Sequence, residues 1–149
     1  MRSVIQRVSG ASVAVDKETL SSIDKGLLVL LGVEEGDTDK DALYMADKIC
    51  KLRIFEDEDG KMNINIKDAG GEIIVVSQFT LLGDARGQNR PSFIRAAKPQ
   101  EADELYLKLV ERINQNGIKA KTGKFQTHMM VSLVNDGPVT ILLDSNKTF

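Results

Sequence analysis

The sequence predicts an α+β fold: a single compact domain of β-strands with two main helices. Three observations lead there. The chain has 149 residues, a length at which one hydrophobic core buries roughly two-thirds of the unfolded surface without help from disulfides or a metal. Its apolar periodicity runs strands, helix, strands, helix, strands, instead of the regular strand–helix alternation that builds a parallel wind. No repeat, low-complexity tract or Pro/Gly/Ser linker divides it, and its three prolines stand at Pro91, Pro99 and Pro138. Residues 1–149 are therefore read as one domain.

Residues 3–8 (SVIQRV) and 11–15 (ASVAV) alternate and read as two short strands broken at Ser9-Gly10. Residues 26–33 (GLLVLLGV) form a continuous apolar run, the pattern of a strand covered on both faces. Thr38, followed by Asp39 and Asp41, caps a helix through Arg53 whose stripe is Ala42, Met45, Ala46, Ile49, Cys50 and Leu52, which assigns Cys50 to the core. Residues 56–60 (EDEDG) are a solvated hairpin tip, because the spacing and terminal Glu of a calcium loop are missing. Residues 72–79 (EIIVVSQF) are the clearest buried strand. A second helix begins near Pro99, carries Glu101, Asp103 and Glu104 in its first turn and stops at Gly117, with Ala102, Leu105, Tyr106, Leu109 and Ile113 on its buried face. Residues 129–134 and 139–143 read as two strands joined by Asn135-Asp136-Gly137-Pro138.

Composition narrows the function classes. With 20 Lys plus Arg against 22 Asp plus Glu, the chain exerts no long-range pull on nucleic acid, so RNA binding must use a local basic patch or shape. Cys50 alone permits no intramolecular disulfide, and with Cys50 and His128 as the only soft ligands a Cys/His zinc site is nearly excluded, while carboxylate sites for Mg²⁺ stay open. A Ser-His-Asp hydrolase would have to run through His128. The longest apolar stretch falls far short of the ~20 residues of a membrane span. The N-terminal MRSVIQRVSG has no apolar signal core. A cytoplasmic protein off the membrane is expected.

Four features stand out against this background. In Ser77-Gln78-Phe79-Thr80 a β-branched run passes into polar side chains, whose burial without partners costs about 1–3 kcal/mol each. They therefore end a strand in solvent, bond internally or face a ligand. In Asn135-Asp136-Gly137-Pro138-Val139-Thr140 the proline cannot donate to a ladder; an ordinary turn with a strand-initial proline and a cis Gly-Pro peptide both fit. Residues 86–98 (RGQNRPSFIRAAK) hold Arg86, Arg90, Arg95 and Lys98 with no acid, a phosphate-binding segment or a basic surface loop. Lys119, Lys121 and Lys124 make a smaller cluster. His128 alternates with Met130, Ser132 and Val134 and reads as a packed or half-exposed strand residue, with Met129 and Met130 as core filler.

Taken together, IQRV (residues 5–8), SQFTL (77–81), RPSF (90–93) and NDGPVT (135–140) resemble the D-aminoacyl-tRNA deacylases over the whole chain. The resemblance implies layered, partly barrel-like β-sheets with the helices packed on one side, and a homodimer with sites at the subunit interface. It implies D-aminoacyl-tRNA as substrate, hydrolysed at the ester to the 3′-terminal adenosine, with neither cofactor nor metal. By analogy Gln78, Phe79 and Thr80 are the catalytic residues and Ser77 also lines the ester. Amides near Phe79 and Thr80 would bind the oxyanion while the ribose 2′-hydroxyl assists water.

In the family Gly137-Pro138 is cis and enters the partner's pocket, where carbonyl oxygens take the α-ammonium and occupy the space of an L side chain. Diverse D-amino acids would then be accepted, and glycine mischarged on tRNA(Ala) would pass the same filter. Arg7 matches the position that holds this loop, and Phe125 and Met129 match positions near the adenosine, where stacking is the expected contact. Gln126-Thr127-His128 departs from the small residues common in relatives. Two other functions fit the residues alone: a binding module using the basic segment, and an esterase working through His128.

Overall fold

The computed structural model describes residues 1–149. Its longest N-terminal element is not two strands but one, β1 (Arg2–Val15). The break expected at Ser9-Gly10 is a change of neighbour. Residues 2–8 pair antiparallel with β3 (Gly26–Gly32), and residues 11–15 pair with β2 (Glu18–Ile23). β2 has no alternation legible in its sequence, ETLSSI, because Ile23 is its only buried residue. β3 then pairs parallel with β6 (Glu72–Ser77), and β6 parallel with β7 (Ala120–Thr122), giving the order β2-β1-β3-β6-β7 with β8 (Met130–Asp144) on the other side of β1. The Ser21 hydroxyl donates to the Thr122 carbonyl at 3.0 Å and Lys121 Nζ donates to the Ser22 carbonyl at 2.6 Å. These bonds tie the outer strands together and nearly close the sheet into a barrel.

The apolar runs of β3 and β6 are covered on both faces, as their composition requires. Leu27, Val29, Leu31, Ile73 and Val75 pack against α1 (Asp39–Lys51) and α2 (Pro99–Gln115), where they meet Met45, Ile49, Leu109 and Ile113. Leu28, Ile74 and Val76 point the other way and join Val8, Val13 and Ile23 in a second cluster. A Cβ on Gly26 would lie 1.9 Å from the Glu72 carbonyl oxygen, so only glycine admits the start of this parallel pairing.

Both helices begin as the sequence predicts, and α1 ends at Lys51, short of Arg53. The Asp41 carboxylate accepts from the Thr38 amide at 2.8 Å and its hydroxyl at 2.9 Å. Pro99 opens α2, and Gly117 follows it at φ +82°. The EDEDG segment is a hairpin tip between β4 (Phe55–Glu56) and β5 (Met62–Ile64), with Asp57 accepting from the amides of Asp59 and Lys61. No helix is long and apolar enough to cross a membrane.

The helices are clamped by Arg112, which donates to Asp47 from Nε at 2.7 Å and from Nη2 at 3.0 Å, with Asn116 adding a third bond at 2.9 Å. The Arg112 bonds, then the Asn116 bond, hold the Asp47 carboxyl down at about 2, below its ordinary 3.8. A depressed carboxylate contributes stability that is complete above the unfolded value and is lost as pH falls through the folded one. Asp47→Asn is therefore expected to flatten the stability profile between about pH 4 and pH 2, with a loss at neutral pH of at most about 1 kcal/mol because the pair is partly solvated. Urea titrations across that range check it, and an unchanged slope would reject the clamp as a source of acid sensitivity.

β8 corrects the reading of two strands and a turn. Both of its halves run antiparallel to β1, with Asn135 opposite Val8 and Thr140 opposite Gln6, so residues 136–139 oppose Arg7 alone. Asp-Gly-Pro makes a bulge here and does not reverse the chain.

Candidate active site

β6 leaves the sheet at Ser77, two residues before the predicted end of the strand, and passes into a 3-10 turn, Phe79–Leu82. The Gln78 amide still donates to the Leu31 carbonyl, at 2.7 Å, which fixes where the departure occurs. Gly32 makes room for it: a Cβ there would lie 2.5 Å from Leu82 Cδ2 and 3.0 Å from the Gln78 oxygen. The first bond of the turn runs from the Leu81 amide to the Gln78 carbonyl at 3.3 Å. The amides of Phe79 and Thr80 precede that bond and have no acceptor inside the turn. Gln78 Nε2 donates to Thr80 Oγ1 at 3.0 Å. Phe79 is 58% exposed and meets the edge of Phe93 at 5.1 Å between ring centroids. The polar residues thus end a strand, as the plainer reading holds, and they also frame a pair of free amides.

The second group forms around Arg7, only 6% exposed. Its Nε donates to the Asp136 carbonyl and its Nη1 to the Ile54 carbonyl, both at 2.8 Å, with the Glu56 and Asp136 carboxylates each 3.8 Å away. Across the bulge, Asn135 Oδ1 accepts from the Val139 amide at 2.7 Å and Asn135 Nδ2 donates to Thr140 Oγ1 at 3.1 Å. Gly137 sits at φ +146°, a region L side chains rarely adopt, and the Gly137-Pro138 peptide is cis. A proline here costs no ladder bond, since the bulge is already out of register. Sequence reading named Arg7, Gly137 and Pro138 and missed Asn135; the available signal was an Asn able to close a turn with its own side chain, four residues before the amide it accepts from.

Phe125 lies 6.3 Å from the Tyr106 ring, whose hydroxyl donates to the Val75 carbonyl at 2.7 Å and is pushed to higher pKa by burial. Met129 Sδ accepts from the Lys124 amide at 3.4 Å. Gln126 between them has φ +54°. Phe125 and Met129 therefore belong to one loop after β7. No hydrogen bond joins this loop, the turn at Ser77 and the bulge to one another within one chain. His128 shares the exposed register of Met130, Ser132 and Val134 but lies before β8 and is exposed instead of packed or half-exposed, and Met130 is 64% exposed instead of filling the core. No group of three or more His, Cys, Asp or Glu side chains is placed to hold a metal ion.

These features define a class: a small α+β domain with a nearly closed sheet, in which two main-chain amides without an acceptor in their turn stand beside Gln78 and Thr80. Comparison gives the family. Residues 4–144 match the D-Tyr-tRNA(Tyr) deacylase family, and the chain belongs to it. The D-aminoacyl-tRNA deacylase of Thermotoga petrophila is 57% identical over 149 residues, covering all of both chains. That of Clostridioides difficile is 56% identical over 149 residues, again covering both completely. Among solved structures, the c-Myc DNA unwinding element binding protein superposes with a TM-score of 0.90 at 41% identity, over 97% of this chain and 98% of that one. A probable eukaryotic D-amino acid tRNA deacylase superposes with a TM-score of 0.80 at 14% identity, over 95% and 97%, and shares the fold.

Proposed function

We propose that the chain hydrolyses the ester of D-aminoacyl-tRNA, releasing D-amino acid and tRNA in the cytoplasm, and that the reaction is assisted by the substrate. Family membership supports the activity. The observation that carries the mechanism is the pair of amides at Phe79 and Thr80, free inside the turn and held on a rigid strand end, which suits them to the oxyanion of an ester under attack. Thr80 is a poor nucleophile here: the partner of its hydroxyl is the Gln78 amide, a donor and not a base. Water is the better nucleophile, and the vicinal 2′-hydroxyl of the terminal adenosine is the group at hand to assist it. Ser77, Gln78 and Thr80 position the ester, and Phe125 and Met129 take the adenosine.

Selection against L-amino acids is assigned to Gly137 and Pro138, whose backbone forms the rim of the bulge and is read without regard to side-chain identity. Glycine, having nothing to exclude, passes, and with it glycine mischarged on tRNA(Ala). A second copy of the chain completes the site. β8 pairs on one edge only, and Met130, Val134 and Leu142 on it are exposed. A long strand with a free edge and an apolar face is a surface that proteins cover. In the proposed symmetric pair the bulge of one copy meets the turn of the other, as the family resemblance implies.

Purified protein is expected to discharge D-tyrosyl-tRNA and spare L-tyrosyl-tRNA. Equal decay of both enantiomers would defeat the proposal. His128→Ala is expected to keep the rate within about threefold, since general-base catalysis by a side chain contributes ~10²-fold or more where it operates. A loss of that larger size would revive the esterase reading.

A further inference from the structure

We infer that the loop between the Phe79–Leu82 turn and α2, residues 83–98, is the surface that holds the RNA backbone of the substrate, with Arg90 and Lys98 meeting its phosphodiesters. This rests on the proposed D-aminoacyl-tRNA reading and adds where the nucleic acid lies. From residue 85 to residue 98 there is no acid, in a chain where acids outnumber bases 22 to 20. The loop also has a shape that presents its charge. Asp84 and Ser92 exchange two backbone hydrogen bonds at 2.8 Å, and residues 85–91 between them are all exposed.

The pairing pattern separates structural from free cations. Arg95 is spent on Glu34, to which its Nε donates at 2.7 Å, and the backbone at its base is fixed by the Glu35 amide on the Arg95 carbonyl at 2.9 Å. Arg86 is held by both oxygens of Asp84, at 2.9 and 2.6 Å. Arg90 and Lys98 make neither ion pair nor side-chain hydrogen bond, so an incoming phosphate displaces nothing but water and counterions. The competing Lys119/Lys121/Lys124 cluster is less available, because Lys119 and Lys121 both lie on Glu72, at 3.4 and 3.3 Å. Position also favours the loop. Its Phe93 packs against Phe79, so a backbone that follows the loop arrives at the turn proposed to bind the ester.

Neither free cation supports the fold, so their removal isolates the contact. The test compares wild type with Arg90→Ala/Lys98→Ala on D-tyrosyl-tRNA and on D-tyrosyl-adenosine, which keeps the ester and the terminal nucleoside but has no RNA backbone. On the tRNA, kcat/KM is expected to fall roughly tenfold through KM, and the slope of log(kcat/KM) against log salt to flatten by about one for each phosphate contact removed. On D-tyrosyl-adenosine no change is expected. Wild-type values and slope on tRNA, an equal loss on both substrates, or a changed oligomeric state would each overturn the assignment, the last by giving the loop to the partner subunit. Should wild type hydrolyse neither substrate, the deacylase reading fails by itself. The loop is then judged by electrophoretic shift of uncharged tRNA: weaker binding by the double variant supports it, and equal binding rejects it.

Discussion

A D-aminoacyl-tRNA whose terminal adenosine lacks the 2′-hydroxyl is expected to be hydrolysed about a hundredfold or more slowly than its ribose counterpart. The size follows from what the turn offers. General acid–base assistance at the reacting centre contributes ~10²–10⁴-fold, and the side chains flanking the free amides cannot supply it. Gln78 is not titratable, Thr80 is bonded to a donor, and His128 stands exposed outside the strands. The amides of Phe79 and Thr80 would still bind the oxyanion of the deoxy substrate, so the loss should appear in kcat with KM nearly unchanged. Undiminished turnover of the deoxy substrate would mean that a protein group activates the water, and the substrate-assisted mechanism would be wrong.

The second large effect is expected at Arg7. Arg7→Ala removes a charged donor from two carbonyls, those of Ile54 and Asp136, in a nearly closed environment. Charge-assisted bonds of this kind are worth about 1.5–3 kcal/mol each and are not additive, so a loss of about 2–4 kcal/mol in urea unfolding is expected. Lysine cannot restore it, because one ammonium does not reproduce a planar fork that serves two acceptors on different segments. Selectivity should fall with stability, since the Asp136 carbonyl immediately precedes Gly137. The ratio of D- to L-aminoacyl-tRNA hydrolysis, measured well below the unfolding transition, separates the two effects. A variant that is both stable and fully D-selective would remove Arg7 from the proposed filter.

The parts of this molecule that were legible in its sequence are those governed by local pattern. The continuous apolar runs of β3 and β6 announce strands covered on both faces, Thr38 and Pro99 announce helix starts, and Cys50 falls on the buried stripe of α1. What stayed hidden depends on partners distant in the chain. Ser9-Gly10 looks like a break because the sequence does not show that β1 changes neighbours there, and Asp136-Gly137-Pro138 looks like a reversal because only pairing with β1 shows that both flanks run the same way. The four cations of residues 86–98 were visible, but their division into two engaged and two free needed Asp84 and Glu34 in space. At the candidate site the residue pattern marks residues 77–80 and 135–140, while their roles come from a family resemblance. The residue that clamps the bulge, Asn135, emerged only once the amide of Val139 was seen to point at it.

Arg7 joins three stretches that are made at very different times during synthesis: its own strand, the chain at Ile54 and the chain at Asp136. The turn at Phe79 is held by β1, β3, β6 and Phe93, all of which precede β8 in the chain. The hydrolytic half of the proposed machinery can therefore be assembled before the selective half. A strand that fails to dock would leave one side of β1 uncovered and the Arg7 guanidinium with only the Ile54 carbonyl of its two main-chain acceptors. Such a chain is expected to lose its stability together with the proposed discrimination.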